Sequence, residues 1–137
     1  MAVERTLVLC KPDAVARGLV GEIVGRLERK GLRLAAMDLR TIDDATAGSH
    51  YAEHEGKSFY APLVQFITSG PLVAICAEGP EAVTVVRTLM GPTNPAAAPP
   101  GSIRGDFGLE IEKNLVHGSD SATSAARELK LFFPELA

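Results

Sequence analysis

RTLVLCKPDAVARGLVGEIVGRLERKG, residues 5–31, changes its hydrophobic period partway along. RTLVLC runs into an unbroken apolar stretch, the pattern of a strand buried on both faces. KPDAVARG then turns the chain, with Pro12, Asp13 and Gly18 as turn residues. From Leu19 the apolar positions are Leu19, Val20, Ile23, Val24 and Leu27, a helical stripe with Gly31 as its C′ residue. A buried strand, a turn and an amphipathic helix make a β-α unit, and the remaining segments are read around it.

LRLAAMDLRTI, residues 32–42, alternates at Leu32, Leu34 and Ala36 and shifts phase at Met37 and Leu39, which predicts a long strand with a bulge. TIDDATAGSHYAEHE predicts a short helix, and SFYAPLVQFITSG a second one ending at Gly70. PLVAICAEG is another buried strand. EAVTVVRTLM is a helix, with Pro80 suited to N1 and Gly91 to C′. Its stripe of Ala82, Val83, Val86 and Met90 leaves Arg87 near the edge. GPTNPAAAPPGSIRGDFG, residues 91–108, breaks the periodicity and carries four of the nine prolines and four of the thirteen glycines. So long an irregular loop in a small domain is usually functional or disordered, and Thr93, Asn94, Arg104 and Asp106 favour function. LEIEKNLVH returns to strand-like alternation. SDSATSAARELKLFF is a helix with Ser119 or Asp120 as N-cap and Pro134 as its stop. Without the insertions the order is βαββαβ. This is an α+β, ferredoxin-like split unit: a four-stranded antiparallel sheet with helices on one face, plus the long Pro/Gly-rich loop.

The 137 residues fit one domain spanning 1–137. Apolar residues make up 46% and charged residues 23%, an ordinary globular balance. A net charge of −3 leaves no basic excess for dedicated nucleic-acid binding. Cys10 and Cys76 sit inside apolar runs, as packing residues of a reducing compartment do. The apolar run after Glu4 and Arg5 is too short for a signal peptide, and none approaches a membrane span. A cytoplasmic location is the expectation.

Neither a G-x-x-x-x-G-K-[ST] loop nor a G-x-G-x-x-G turn occurs. Chemistry-bearing residues are scattered instead: Lys11 after the first strand, Arg87 on a helix, Arg104 in the loop and His117 in NLVHGSD, residues 114–120. Cations around a histidine suit phosphoryl transfer, which is mostly positioning and charge stabilisation. Histidine is also a competent covalent nucleophile.

TLVLCKPDAVARGLVGEI, YAEHEGKSFYAPLVQFITSGP, GPTNPAAAPPGSIRGDFG and NLVHGSDS together resemble the nucleoside diphosphate kinase family over essentially the whole chain. The resemblance implies reversible transfer of a γ-phosphoryl group from a nucleoside triphosphate, with ATP as the main donor, to a nucleoside diphosphate. The cycle is ping-pong, with broad base specificity. His117 matches the phosphorylated histidine, attacked through Nδ1. Lys11, Arg87 and Arg104 match the phosphate-contacting cations, and Thr93 a phosphate-contacting hydroxyl. Asn114, with Lys11, matches the groups on the sugar hydroxyls, and Phe59 the ring that stacks on the base. Tyr51 matches a residue near the phosphates and the histidine. Glu128 matches the carboxylate that steadies the imidazole, with Ser119 as its partner. Mg²⁺ is expected on the nucleotide's phosphates, with no dedicated protein ligands. A homo-oligomer is also implied, hexamer favoured over tetramer, although the chain ends with LFFPELA. Ser58, Tyr60, Pro92 and Thr123 depart from the usual pattern, and none removes a group assigned to the chemistry.

Two other classes compete with this reading. A phosphohistidine relay protein needs the histidine but not Phe59, Asn114 or Thr93. A binding or regulatory module on the same fold needs none of them, and the acidic balance counts against its acting on nucleic acid. His50 and His54 fall at i and i+4, a spacing that can bind metal. No cysteine or third histidine lies near in sequence, and both are expected as polar side chains at the surface.

Overall fold

The computed structural model describes residues 3–136. The first strand, β1 (Val3–Cys10), is followed by two helices, α1 (Pro12–Ala16) and α2 (Val20–Lys30), and by β2 (Arg33–Arg40). Two short helices, α3 (Asp44–His50) and α4 (Tyr60–Ile67), lead to β3 (Leu72–Pro80) and α5 (Ala82–Met90). Then come α6 (Ile103–Phe107), β4 (Val116–Gly118) and α7 (Ala122–Phe132). The sheet order is β2-β3-β1-β4, and every neighbouring pair is antiparallel. This is the ferredoxin-like sheet expected from the element order.

One expectation fails: helices cover both faces of the sheet. Alternate residues of β1 and β3 point opposite ways. Val8, Cys10, Val73, Ile75 and Ala77 pack with Ile23 and Leu27 of α2 and with Ala82, Val86 and Met90 of α5. Leu7, Leu9, Leu72, Ala74 and Cys76 pack with Ala47 of α3, Ile67 of α4 and Phe132 of α7. Unbroken apolar runs such as RTLVLC and PLVAIC require this double cover, because each run has no polar face to give to water. Each large side chain buried this way contributes about 1.5–3 kcal/mol. Both cysteines are buried and free.

The local signals explain most elements. α2 ends where expected, at Gly31 with φ 109°. Asp43 caps α3, its side chain accepting from the Thr46 amide at 2.7 Å. The phase shift in the second strand is a bulge: Leu34 pairs with Ala77 and Ala36 with Cys76, leaving Ala35 as the extra residue.

Four boundaries differ from expectation. KPDAVARG is not a simple turn, because Pro12 opens the helical turn of α1. Pro80 is not N1 of α5 but closes β3 opposite Val3, and Glu81 precedes the helix with φ 52°. Ser121, rather than Ser119 or Asp120, caps α7 by accepting from the Ser124 amide. The alternation in LEIEKNLVH gives only the three-residue β4. Leu109 and Ile111 are exposed, and residues Ile111–Lys113 form a 3₁₀ turn.

The Pro/Gly-rich segment is pinned at several points. Arg26 of α2 pairs with Asp106 at 2.7 Å, donates to the Gly101 carbonyl and lies over the Phe107 ring. Ser102 caps α6, accepting from the Gly105 amide at 3.0 Å and donating to the Pro99 carbonyl at 2.7 Å. Gly105 is required there, because any Cβ would overlap the Pro99 carbonyl oxygen.

Candidate functional site

The pairing of β1 with β4 sets Leu9 opposite His117, and so brings the end of the first strand beside the histidine. His117 Nε2 lies 2.8 Å from Glu128 Oε1 on α7. The carboxylate is acceptor-only, so Nε2 is the donor and Nδ1 the nitrogen left for a reaction. The same Oε1 accepts from Ser119 Oγ at 2.7 Å, and Ser119 Oγ in turn accepts from the Leu7 amide. A chain of hydrogen bonds thus ties the imidazole to the central strand of the sheet. Burial disfavours the charge on Glu128, but the bonds from His117 and Ser119 outweigh it and hold the carboxyl below the usual carboxylate range.

Next to the histidine, the connection from Asn114 to Val116 is held by groups from distant segments. Leu115 is fully buried with φ 74°, a conformation a side chain of this kind rarely adopts. Its amide donates to Asp13 Oδ2 at 3.1 Å, and its carbonyl accepts from the Lys11 amide at 2.9 Å. The strained turn is clamped by the KPD segment. Asn114 Oδ1 accepts from Lys11 Nζ at 2.8 Å, while its Nδ2 donates to the Thr93 carbonyl at 3.0 Å.

Arg104 is 5% exposed and works inward. Its Nε donates to the Asn114 carbonyl, one terminal nitrogen to the Gly91 carbonyl and the other to the Val116 carbonyl, at 3.1, 3.0 and 2.7 Å. A guanidinium has five N–H groups, so among the described residues two remain for an anion. Arg87 is exposed and pairs with Asp120 at 2.7 Å. Burial, then the neighbouring Arg104, lowers the Lys11 ammonium from its ordinary 10.5 to about 8. Burial, then Arg87, lowers Arg104 to about 10. These cations are held close without full compensation, which is the electrostatic setting an anion relieves.

One cavity of about 580 Å³ is lined by Lys11, Tyr51, Phe59, Arg87, Thr93, Arg104, Asn114, His117 and Glu128. Every residue to which the family resemblance gave a role lies on it except Ser119, which stands fully buried behind Glu128, whereas Asn94 and Asp106 of the loop do not line it. Phe59 is 46% exposed at the mouth, with His54 and the Lys57 ammonium against its ring. Burial, then Glu128, pushes the Tyr51 hydroxyl up to about 12, so it remains a donor.

Three contributors escaped the sequence reading. Asp13 was visible only as a turn residue, and Arg26 was not singled out. His50, expected at the surface with His54, is instead 2% exposed beneath the cavity. The helix α3 turns it inward, where its ring meets His117, Tyr51 and Phe132. Burial, then His117, lowers its imidazole to about 3.

A family model for nucleoside diphosphate kinase matches residues 4–137. The nucleoside diphosphate kinase of Frankia casuarinae is 64% identical over 137 residues, covering 100% of both chains. That of a Parafrankia species is 61% identical, again over 100% of both. Among solved structures, a halophilic nucleoside diphosphate kinase from Halobacterium salinarum in complex with CDP superposes with a TM-score of 0.94. It is 51% identical, and the match covers 96% of this chain and 88% of that one. A nucleoside diphosphate kinase family protein from Babesia bovis also gives 0.94, at 47% identity over 96% and 90% of the two chains.

Proposed function

Because the chain belongs to the nucleoside diphosphate kinase family, whose members move phosphoryl groups between nucleotides through a phosphohistidine, we propose that His117 is the residue phosphorylated. The observation that carries the assignment is the bond from Nε2 to Glu128, which leaves Nδ1 to a cavity holding Lys11, Arg87 and Arg104. In the first half-reaction Nδ1 attacks the γ-phosphorus of a nucleoside triphosphate. The N–P bond forms, the bond to the β-γ bridging oxygen breaks, and the diphosphate leaves with that oxygen. A second diphosphate enters the same cavity and takes the group back by the reverse step.

The remaining roles follow from chemistry and place. The spare N–H groups of Arg104, the Lys11 ammonium and Arg87 meet phosphate charge as it shifts during transfer. Arg87 exchanges Asp120 for phosphate, at small cost because the pair is exposed. Thr93 adds a hydroxyl, Asn114 and Lys11 take the sugar hydroxyls, and Tyr51 donates near the phosphates. Phe59 stacks on the base, and stacking gains affinity without reading base edges, so purines and pyrimidines are both accepted. Glu128 and Ser119 orient the imidazole and stabilise its charge as phosphate arrives.

Mg²⁺ suits this pocket as an ion carried on the substrate: of the carboxylates that line the cavity, Asp120 is paired with Arg87 and Glu128 with His117, and among the described residues no three carboxylates converge. Carried in on the nucleotide, it would neutralise part of the phosphate charge. ATP is the main donor in this reading, and residues 1–137 act as one domain in the cytoplasm. Among the described residues no helix is long and apolar enough to cross a membrane. Met37 and Leu39, exposed on the edge strand β2, support a homo-oligomer, with hexamer favoured over tetramer.

The test is brief exposure to γ-labelled ATP followed by a chase with mixed unlabelled diphosphates. Acid-labile, alkali-stable label on the chain, passed on to every diphosphate and absent in His117→Ala, is the expected result. Near-full activity in His117→Ala overturns the assignment. Label that moves to proteins but not to nucleotides favours a relay.

A further inference from the structure

The phosphoryl-transfer reading gives His50 nothing to do, yet the residue is built into the floor of the cavity. It closes α3, is 2% exposed, and among the described residues neither ring nitrogen has a hydrogen-bond partner. Burying such groups unmet is costly, and an unmet buried polar atom in a native structure calls for a partner. Its ring meets His117 edge to face, with centroids 4.6 Å apart and planes at 78°. One ligand atom each from His50, His117 and Glu128 falls within 4.8 Å of the other two. The i, i+4 partner His54 is not in this group. It packs against Phe59, with ring centroids 5.2 Å apart.

We propose that His50, His117 and Glu128 form a binding site for a borderline transition-metal ion, Zn²⁺ foremost, whose occupancy switches the enzyme off. Two imidazoles and a carboxylate are a ligand set that Zn²⁺ takes with a fourth position left to water. Imidazole favours Zn²⁺, Cu²⁺ and Ni²⁺, whereas Mg²⁺ keeps to oxygen, so the ion arriving on a nucleotide does not compete for the site. Ser119 already orients Glu128 from behind at 2.7 Å, as the outer partners of metal-bound carboxylates do.

The ion enters between His117 Nε2 and Glu128 Oε1, opening their 2.8 Å contact by a few tenths of an ångström, and the His50 ring swings in as the third ligand. The ion takes the Nε2 lone pair, so the proton on that nitrogen must leave it. Neutral His117 carries one ring proton, which moves to Nδ1. No electron changes hands, and the proton count of the ring is unchanged. Protonated Nδ1 has no lone pair for phosphorus, so a metal-bound His117 cannot take the phosphoryl group. The site itself stands on the geometry, and only its effect on turnover rests on His117 being the phosphorylated residue.

The binding arm uses metal-free full-length protein without nucleotide, titrated with Zn²⁺ by calorimetry and with Co²⁺ by visible absorption. One ion per chain is expected, with the intense band of four-coordinate Co²⁺. His50→Phe, which keeps a ring in the space, and His50→Asn, which does not, should each weaken binding at least tenfold. His54→Phe should leave binding unchanged. In the kinetic arm, Zn²⁺ should inhibit nucleotide exchange at saturating Mg²⁺, and at least tenfold more Zn²⁺ should be needed in the His50 variants. Tight Zn²⁺ binding that survives both His50 substitutions, or a six-coordinate Co²⁺ spectrum, overturns the site. Metal binding is read directly, so these outcomes hold whether or not the chain exchanges phosphate. Failure of the labelling test above would remove the kinase reading alone.

Discussion

His117 and Glu128 meet at 2.8 Å through Nε2 and Oε1, and that one contact chooses which imidazole nitrogen is free to react. Glu128→Gln keeps the shape but replaces an acceptor-only group with an amide that can present either end. The expected outcome is a fall in kcat of about 10²-fold, the scale of a misplaced reacting group, with a smaller change in KM. Single-turnover labelling of His117 from γ-labelled ATP is the measurement. Unchanged labelling would mean that the ring holds its orientation without the carboxylate.

Arg104 and Arg87 should separate by what each loses. Arg104 holds three backbone carbonyls from within the fold, so Arg104→Lys is expected to cost about 1.5–3 kcal/mol of stability as well as about 10²–10³-fold in kcat/KM. Arg87 has only an exposed partner, so Arg87→Ala is expected to lose a similar factor in kcat/KM with a stability change under about 1 kcal/mol. Thermal melts paired with steady-state kinetics distinguish the two. A destabilised Arg87→Ala with normal kinetics would reverse their assignments.

Lys11 predicts opposite pH trends for stability and for substrate binding. Its pKa is lowered on folding from 10.5 to about 8, so between those values the unfolded chain holds a proton that the folded one has released. This group therefore makes the nucleotide-free protein more stable as pH rises from about 8 to 10.5. As pH rises through about 8 the folded pocket loses that positive charge, and KM for nucleotides should climb. Lys11→Met should flatten both trends, as read from melts and KM across that range.

Gly105→Ala tests how Arg104 is aimed. The new methyl group would meet the Pro99 carbonyl, which is backbone and cannot swing aside. A destabilisation of about 1–3 kcal/mol is expected, with kcat/KM falling as the α6 turn moves. Arg26→Ala, which frees Asp106 and Gly101 while leaving the Pro99–Gly105 approach alone, should give a milder loss of both. Equal effects in the two variants would mean that the loop moves as one body.

Local rules made α2 and its end at Gly31, the presence of a bulge in β2 and the short helix α3 legible, because each depends on neighbours in sequence. The site was legible as a cast of residue types, and its members do gather on one cavity. What local patterns left out was set by tertiary contact. Leu109 and Ile111 imitate strand alternation, yet they lie on the surface outside β4. His50 looked polar and exposed because nothing nearby in sequence marks α3 as turning toward Phe132. The positive φ of Leu115 carries no signature of its own. It exists because Asp13, 102 residues away, receives its amide.

That long-range clamp has a consequence for how the protein is made. The first strand leaves the ribosome early, but the segment it braces, and the carboxylate behind the histidine, are among the last to be synthesised. A stalled nascent chain lacking α7 would carry all four strands, His117 and the cations Lys11, Arg87 and Arg104, but not the carboxylate that aims the imidazole. Full competence would then arrive late, when the closing helix clears the exit tunnel.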